Sequence, residues 1–253
     1  MSFHDHFSAA AAQYAQARPE YPRALFDWIA SVVPARESCW EPGCGSGQAS
    51  RDLARVFEHV HATDPSAAQI ANASGPGNIT FAVEPGEACS LADASADAVC
   101  VAQALHWFDL PAFFAECERV LKPGGMLIAW GYLDIEVDDD IAAANAALQA
   151  RIRGDWPPQR DFIDEAYASF GFPFQAVETP AFELRAEWTL PRLLGYFSSY
   201  SATKRHRERT GEDVVALHAD ALAAAWGDPQ RPRTVRWPMF VHARRKPAPK
   251  EAR

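Results

Sequence analysis

Long apolar runs, paired cysteines and an excess of positive charge are all missing from this chain, and each absence removes a class of function. No segment approaches the ~18 consecutive apolar residues that a membrane-spanning helix needs. The opening MSFHDHFSAA has neither a basic lead nor an apolar stretch of signal-peptide kind, so no membrane partner and a cytoplasmic location are expected. The five cysteines (Cys39, Cys44, Cys89, Cys100, Cys117) are odd in number and form no CxxC pair, which points to free thiols rather than a disulfide or zinc scaffold. His59 and His61 share one strand face without further ligands, so no metal is expected. Acids outnumber bases, 33 against 24, for a net charge of -9. Nucleic acid and anionic membrane surfaces would be repelled on average. No pattern sets an oligomeric state.

What is present is an α/β alternation. At 253 residues the chain can bury a sizeable core as a single domain with an insertion. Short apolar runs predict strands at 38–41, in HVHATD, at 78–83, in DAVCVAQ and in MLIAWGY, with helices near 48–57 and 109–121 between them. The 109–121 helix has the clearest period: Leu110, Phe113, Phe114, Cys117, Val120 and Leu121 recur at helical spacing before KPGG. After Tyr132 the pattern changes to helix-like segments (AAANAALQARI, DFIDEAYASF, PRLLGYFSSY) interrupted by strand-like FELRAEWTL. We divide the expected domain, 1–246, into an N-terminal helical cap (1–35), a cofactor-binding core (36–133), a substrate-side, largely helical insertion with strand six (134–210), and a closing helix and strand (211–246). Residues 247–253 form a loose tail.

The most informative stretch is WEPGCGSGQAS, residues 40–50. Gly43, Gly45 and Gly47 sit where a first strand turns into a first helix, so backbone must pass close to a ligand. Dinucleotide sites use GxGxxG to bring a helix N-terminus to a pyrophosphate. Here the spacing is GxGxG, and Glu41 precedes it. A carboxylate aimed at a pyrophosphate would be repelled by several kcal/mol in a poorly solvated pocket. An acid at this position suits a cation such as S-adenosylmethionine, which carries an ammonium and a sulfonium. A second acid should then meet its ribose at the end of strand two, and Asp64 stands there, seventeen residues after Gly47.

With these residues in place, EPGCGSG followed by Asp64 resembles the class I S-adenosylmethionine-dependent methyltransferases. VAQALHWFD, LKPGGMLIAWGY and RTVRWPMFV look like the branch that includes trans-aconitate methyltransferase. The resemblance implies a Rossmann-like sheet of seven strands, mostly parallel, with helices on both faces and the last strand antiparallel. It places Glu41, Gly43, Gly45 and Gly47 around the methionine part, Asp64 and Pro65 at the ribose, and Gly86 and Glu87 of EPGEACSLAD at the adenine. Gln103 and Ala104, just after strand four, fall where relatives contact the methionine end. The product would be S-adenosylhomocysteine.

Methyl transfer from a sulfonium is an in-line displacement in which the protein chiefly aligns an acceptor and excludes water. A base is needed only if the accepting atom holds a proton. His106 and Trp107, after strand four, are the candidates on the reacting side: His106 as base or polar contact, or simply a bonded loop residue, and Trp107 as a wall beside the sulfonium, or core. Tyr14, Arg18 and Tyr21 of QYAQARPEYP match a capping pattern of relatives, with Tyr14 the one nearest the chemistry. Trp130 and Tyr132, after strand five, would wall the acceptor pocket, or pack the core. The basic run KRHRER (204–209) reads as a solvated helix end, and Cys44 as filler. The expectation is a methyltransferase for a small-molecule acceptor. A binding protein that has lost the reaction, or a nicotinamide-dependent oxidoreductase, are the alternatives.

Overall fold

In the computed structural model, which describes residues 19–248, the short apolar runs become neighbouring strands of one sheet. The first half runs α1 (Arg23–Val32), β1 (Ser38–Pro42), α2 (Gln48–Leu53), β2 (His59–Thr63), α3 (Ala67–Ala71), β3 (Ile79–Ala82), β4 (Ala96–Ala102), a 3-10 turn (Leu105–Trp107), α4 (Leu110–Val120) and β5 (Leu121–Tyr132). The second half runs α5 (Asp139–Ile152), a 3-10 turn (Arg153–Asp155), α6 (Arg160–Asp164), β6 (Gln175–Val177), β7 (Glu183–Trp188), α7 (Leu190–Ser199), α8 (Ser201–Thr210), α9 (Val214–Trp226) and β8 (Arg233–Arg245).

The sheet order is β3-β2-β1-β4-β5-β8-β6. β1 to β5 are mutually parallel, and β8 runs antiparallel to β5 from Met126 opposite Arg245 to Tyr132 opposite Met239. β4 buries six of its seven residues, the pattern of a central strand covered on both faces. Leu25 and Ile29 of α1 pack on one face with Cys39, while Phe113, Cys117 and Val120 of α4 pack on the other with Trp40. α4 forms as its period predicts, because the Asp109 carboxylate accepts from Ala112 N–H at its start and Pro111 fits its first turn. The chain order reverses between β1 and β4, which opens a crevice at the carboxyl ends of those two strands. Both the glycine turn and the His106 loop leave from that edge.

Three expectations need correction. Among the described residues there are eight strands, not seven. FELRAEWTL yields β7, which pairs only with the first half of β8, from Glu183 opposite Pro238 to Trp188 opposite Arg233. The strand on the far side of β8 is β6, three residues long and without an alternating pattern to betray it. Helix α2 stops at Leu53 rather than 57, since Asn78 Nδ2 donates to the carbonyls of Ala54 and Phe57 and turns the chain into β2. DFIDEAYASF is helical only to Asp164, because Ala166 and Tyr167 adopt left-handed backbone (φ 50° and 59°).

Candidate active site

The glycine turn separates three residues that look alike in sequence. All three have positive φ: 70° at Gly43, 56° at Gly45 and 84° at Gly47. A Cβ on Gly43 would stand 2.6 Å from the Ala104 Cβ, and one on Gly47 would stand 2.9 Å from the Phe81 ring. Those two are glycine because protein packs against them. At Gly45 a Cβ would meet nothing nearer than Gln69 Oε1 at 4.0 Å. Its N–H is held by Asp64 Oδ2 at 3.0 Å, while Asp64 Oδ1 accepts from Ser66 N–H at 2.9 Å. Asp64 thus ties the turn to the end of β2, where Pro65 leads to the Ser66 cap of α3.

Glu41, near the end of β1, is 1 % exposed. Its Oε2 has no hydrogen-bond partner, and neither has the Oγ of Ser50, which lies near enough to favour the charged form without completing a bond. Burial is the main influence and pushes the carboxyl up to about 8, with Asp64 and Asp52 adding to it and Ser50 and Arg51 opposing it. A buried carboxyl with an orphaned oxygen is costly unless something else satisfies it. Cys44, between the glycines, is buried, and burial raises its thiol far above the usual range, so it is no nucleophile.

The opposite wall follows β4. Gln103, with φ 53°, accepts from Tyr132 N–H through Oε1 at 2.8 Å and turns Nε2 toward the Tyr132 carbonyl at 3.4 Å. Its amide joins the ends of β4 and β5. Ala104 abuts Gly43, and the Phe108 ring lies where a Cβ on Gly43 or Gly86 would touch it, at 3.1 and 3.0 Å. Glu87 Oε1 accepts from Asp109 N–H at 2.8 Å, at the start of α4. His106 is buried, with Nδ1 2.8 Å from the Tyr167 hydroxyl. Trp107, at 37 % exposure, faces outward with its ring 4.9 Å from that of His106.

Comparison with known proteins gives this arrangement a family. The family described as a methyltransferase domain matches residues 40–129. A Dictyostelium discoideum protein named as a methyltransferase is 31 % identical over 229 residues, 88 % of this chain and 87 % of its own. A methyltransferase-like protein of Schizosaccharomyces pombe is 33 % identical over 218 residues, covering 83 % of each. A solved structure from Anaeromyxobacter dehalogenans, described as a type II methyltransferase, superposes with a TM-score of 0.87 at 45 % identity, over 91 % of this chain and 99 % of its own. This chain is a class I S-adenosylmethionine-dependent methyltransferase. The relatives do not extend the narrower likeness to the trans-aconitate branch.

The residues fit the methyltransferase cofactor. S-adenosylmethionine offers an ammonium for the unpartnered Glu41 oxygen, and Gly45 leaves the backbone of the turn uncovered. Other expected site residues fall into groups. Tyr14 and Arg18 lie outside the described residues. Tyr21 packs edge-on to Trp130 (5.9 Å) and sits 6.4 Å from Tyr132. Trp130 itself is fully buried between Tyr21 and Phe26, where it holds the cap to the sheet, and its Nε1 is unpartnered.

Two contributors and one pairing escape the sequence reading of this methyltransferase. Phe108 and Ser50 sit among apolar or helical neighbours with nothing to mark them. Tyr167 is 61 residues from His106, in a segment whose pattern reads as helix. The basic run does end a helix, α8, before Gly211, with Lys204, Arg207, Glu208 and Arg209 exposed, but one of its residues turns inward. His206 is 2 % exposed, with Nδ1 2.7 Å from Asp155 and Nε2 3.0 Å from Glu212. Arg209 forks onto Asp155 and Arg151 onto Glu212, so KRHRER staples the segment together. His61 meets Glu84 at 2.9 Å, and no cluster among the described residues could hold a metal ion. Nor is any described helix long and apolar enough to cross a membrane.

Proposed function

We propose that this methyltransferase acts on a small molecule, and that its cofactor sits in the crevice between the ends of β1 and β4. The observation that carries the reading is the buried Glu41 carboxyl with an unpartnered oxygen, on the strand that leads into the glycine turn. In this reading Glu41 takes the ammonium and Asp64, with Pro65 beside it, the ribose hydroxyls. Gly86 and Glu87 flank the adenine, and Gln103 and Ala104 border the methionine part. The bound cofactor supplies a methyl group on a sulfonium, which an acceptor lone pair attacks as the carbon–sulfur bond breaks and S-adenosylhomocysteine is left.

The chain's part is to align and to exclude water. In this reading His106 and Trp107 serve the reacting side and Tyr21 and Tyr132 the acceptor side, with Tyr14 and Arg18, outside the described residues, as further candidates. The segment 134–210 selects the acceptor. Charge balance supports a small molecule over nucleic acid, since the chain is net negative.

Calorimetric titration with S-adenosylmethionine and S-adenosylhomocysteine tests the cofactor site; binding is expected for both, and heat from neither overturns it. For the acceptor class, methyl-labelled cofactor is incubated with the protein and a cell extract that is then split by size. Label is expected in the low-mass fraction. Label confined to the macromolecular fraction overturns the small-molecule reading.

A further inference from the structure

Between β3 and β4 the chain runs from residue 83 to 95 without regular structure, so its backbone must find partners among side chains. The two limbs of this loop are pinned to different elements. On the far limb, Glu116 of α4 accepts from the Cys89 N–H at 2.8 Å, while Arg119 donates to the carbonyls of Cys89 (3.1 Å) and Leu91 (2.7 Å). On the near limb, Glu84 Oε2 lies 2.9 Å from His61 Nε2 on β2 and accepts from the Ser90 N–H at 3.2 Å. The Ser90 Oγ lies 3.4 Å from the same imidazole nitrogen. One carboxylate thus ties the start of the loop to its end, and both to the sheet.

Pro85, Gly86, Glu87 and Ala88 span the gap between these pins. Gly86 is buried, and the Phe108 ring lies 3.0 Å from where its Cβ would stand. Among the described residues neither the N–H nor the carbonyl of Gly86 has a partner. A buried peptide group left unbonded calls for a partner from outside the chain.

We infer that His61 is a positioning residue for the adenine end of the cofactor: by holding Glu84 it fixes where the 85–88 turn presents its unbonded peptide groups. The inference rests on the placement of Gly86 and Glu87 at the adenine proposed above. Three residues after His61, the same strand leads into Asp64, the acid read at the ribose. A clasp on β2 therefore sets the base site and the ribose site from one rigid element. Burial raises the Glu84 carboxyl, but the Ser90 and His61 bonds together hold it below its ordinary value, so it accepts and His61 Nε2 donates. Glu116 and Arg119 hold the far limb without help from His61, so what the imidazole adds is confined to the turn.

The test compares two ligands that differ only at the base. S-adenosylhomocysteine and its analogue with hypoxanthine in place of adenine share every other group; in the analogue the amine donor becomes a carbonyl and the adjacent ring nitrogen gains a proton. In calorimetric titration the wild type is expected to prefer the adenine compound by about tenfold or more, the effect of a mismatched hydrogen bond. His61→Leu, which removes the donor, is expected to lose most of that preference. His61→Gln, whose amide reaches Glu84 with an N–H, is expected to keep it. Glu84→Ala, on the loop itself, should repeat the result of His61→Leu and reads the clasp if that variant fails to fold. Folded His61→Leu or Glu84→Ala protein with the wild-type preference overturns the inference, even where both ligands bind more weakly, since a merely structural contact would give that result. Wild type that binds neither ligand overturns the crevice reading itself, and wild type that binds both equally overturns the adenine placement and the inference with it.

Discussion

The glycine-turn crevice and the segment around Asp155 handle charge in opposite ways. In the crevice one carboxylate oxygen, that of Glu41, is buried without a partner. Around Asp155 the buried charge is matched: Arg209 forks onto Asp155, His206 bridges Asp155 and Glu212, and Arg151 forks onto Glu212. The polar atoms left unpartnered in that second region, on Asn145, Gln149 and Thr203, are neutral. A protein tolerates a buried orphan carboxyl where a ligand will meet it, and removes such orphans where only the fold is at stake. On the function proposed above, the difference separates a binding site from a structural staple.

Breaking the staple should have the largest effect. Asp155→Ala leaves His206 buried between elements with one carboxylate gone, and truncating one partner of a buried charge network costs on the order of 3 to 5 kcal/mol. Denaturant unfolding should show that loss, with affinity for S-adenosylhomocysteine held where the protein is folded. The Arg209 guanidinium first, helped by His206, holds the Asp155 carboxyl down at about 2. A lowered carboxyl stabilises the fold above its unfolded value near 4 and loses that contribution as pH falls toward 2. Acid unfolding of the wild type should therefore steepen in that window, and Asp155→Asn should flatten it.

In the crevice the same kind of substitution should act with the opposite sign on stability. Glu41 is raised to about 8 from a carboxyl range near 4.5, so ionising it opposes folding, and ligand-free stability falls as pH rises from about 4.5 to 8. At pH 7 the penalty amounts to about 3 kcal/mol. Glu41→Gln keeps the shape and removes the charge. Its melting temperature without ligand should rise, its stability should lose that pH slope, and S-adenosylhomocysteine should bind about 100-fold more weakly, as for loss of a buried charge-assisted bond. Because a cation calls for the ionised form, wild-type binding at pH 7 should release a proton that the variant does not, read by titration in buffers of different ionisation enthalpy. A variant both less stable and equally tight would erase the contrast between the two regions.

The unequal legibility of the two regions has the same origin. EPGCGSG and Asp64 were readable because a strand-turn-helix unit concentrates its signals within a few residues: glycines at positive φ, an acid before them, a second acid one strand later. The α4 and β5 elements were readable because period and caps are local. The split pairing of β8 was not, since Pro238 and the two partner strands β7 and β6 matter only once the strand is placed between neighbours. Nor was Gln103 legible as a backbone clasp, since its partner Tyr132 is set by parallel register. Tyr167 was hidden twice over, by a helical pattern that left-handed backbone interrupts and by its distance along the chain from His106.

The glycine turn offers the smallest and sharpest probe, because it holds both kinds of position within three residues. Gly43→Ala should cost on the order of 2 to 3 kcal/mol, from a left-handed backbone plus overpacking against Ala104, whose Cβ would be only 2.6 Å away. Gly45→Ala carries the backbone cost alone, about 1 kcal/mol, since a Cβ there clears Gln69 Oε1 at 4.0 Å. Yet the methyl group would stand where ligand has to approach. Gly45→Ala should therefore lose at least tenfold in affinity for S-adenosylhomocysteine while changing the melting temperature least, whereas Gly43→Ala should lose stability first. If the two variants change stability and affinity in the same proportion, the crevice does not open at Gly45 and the division of roles among the three glycines fails.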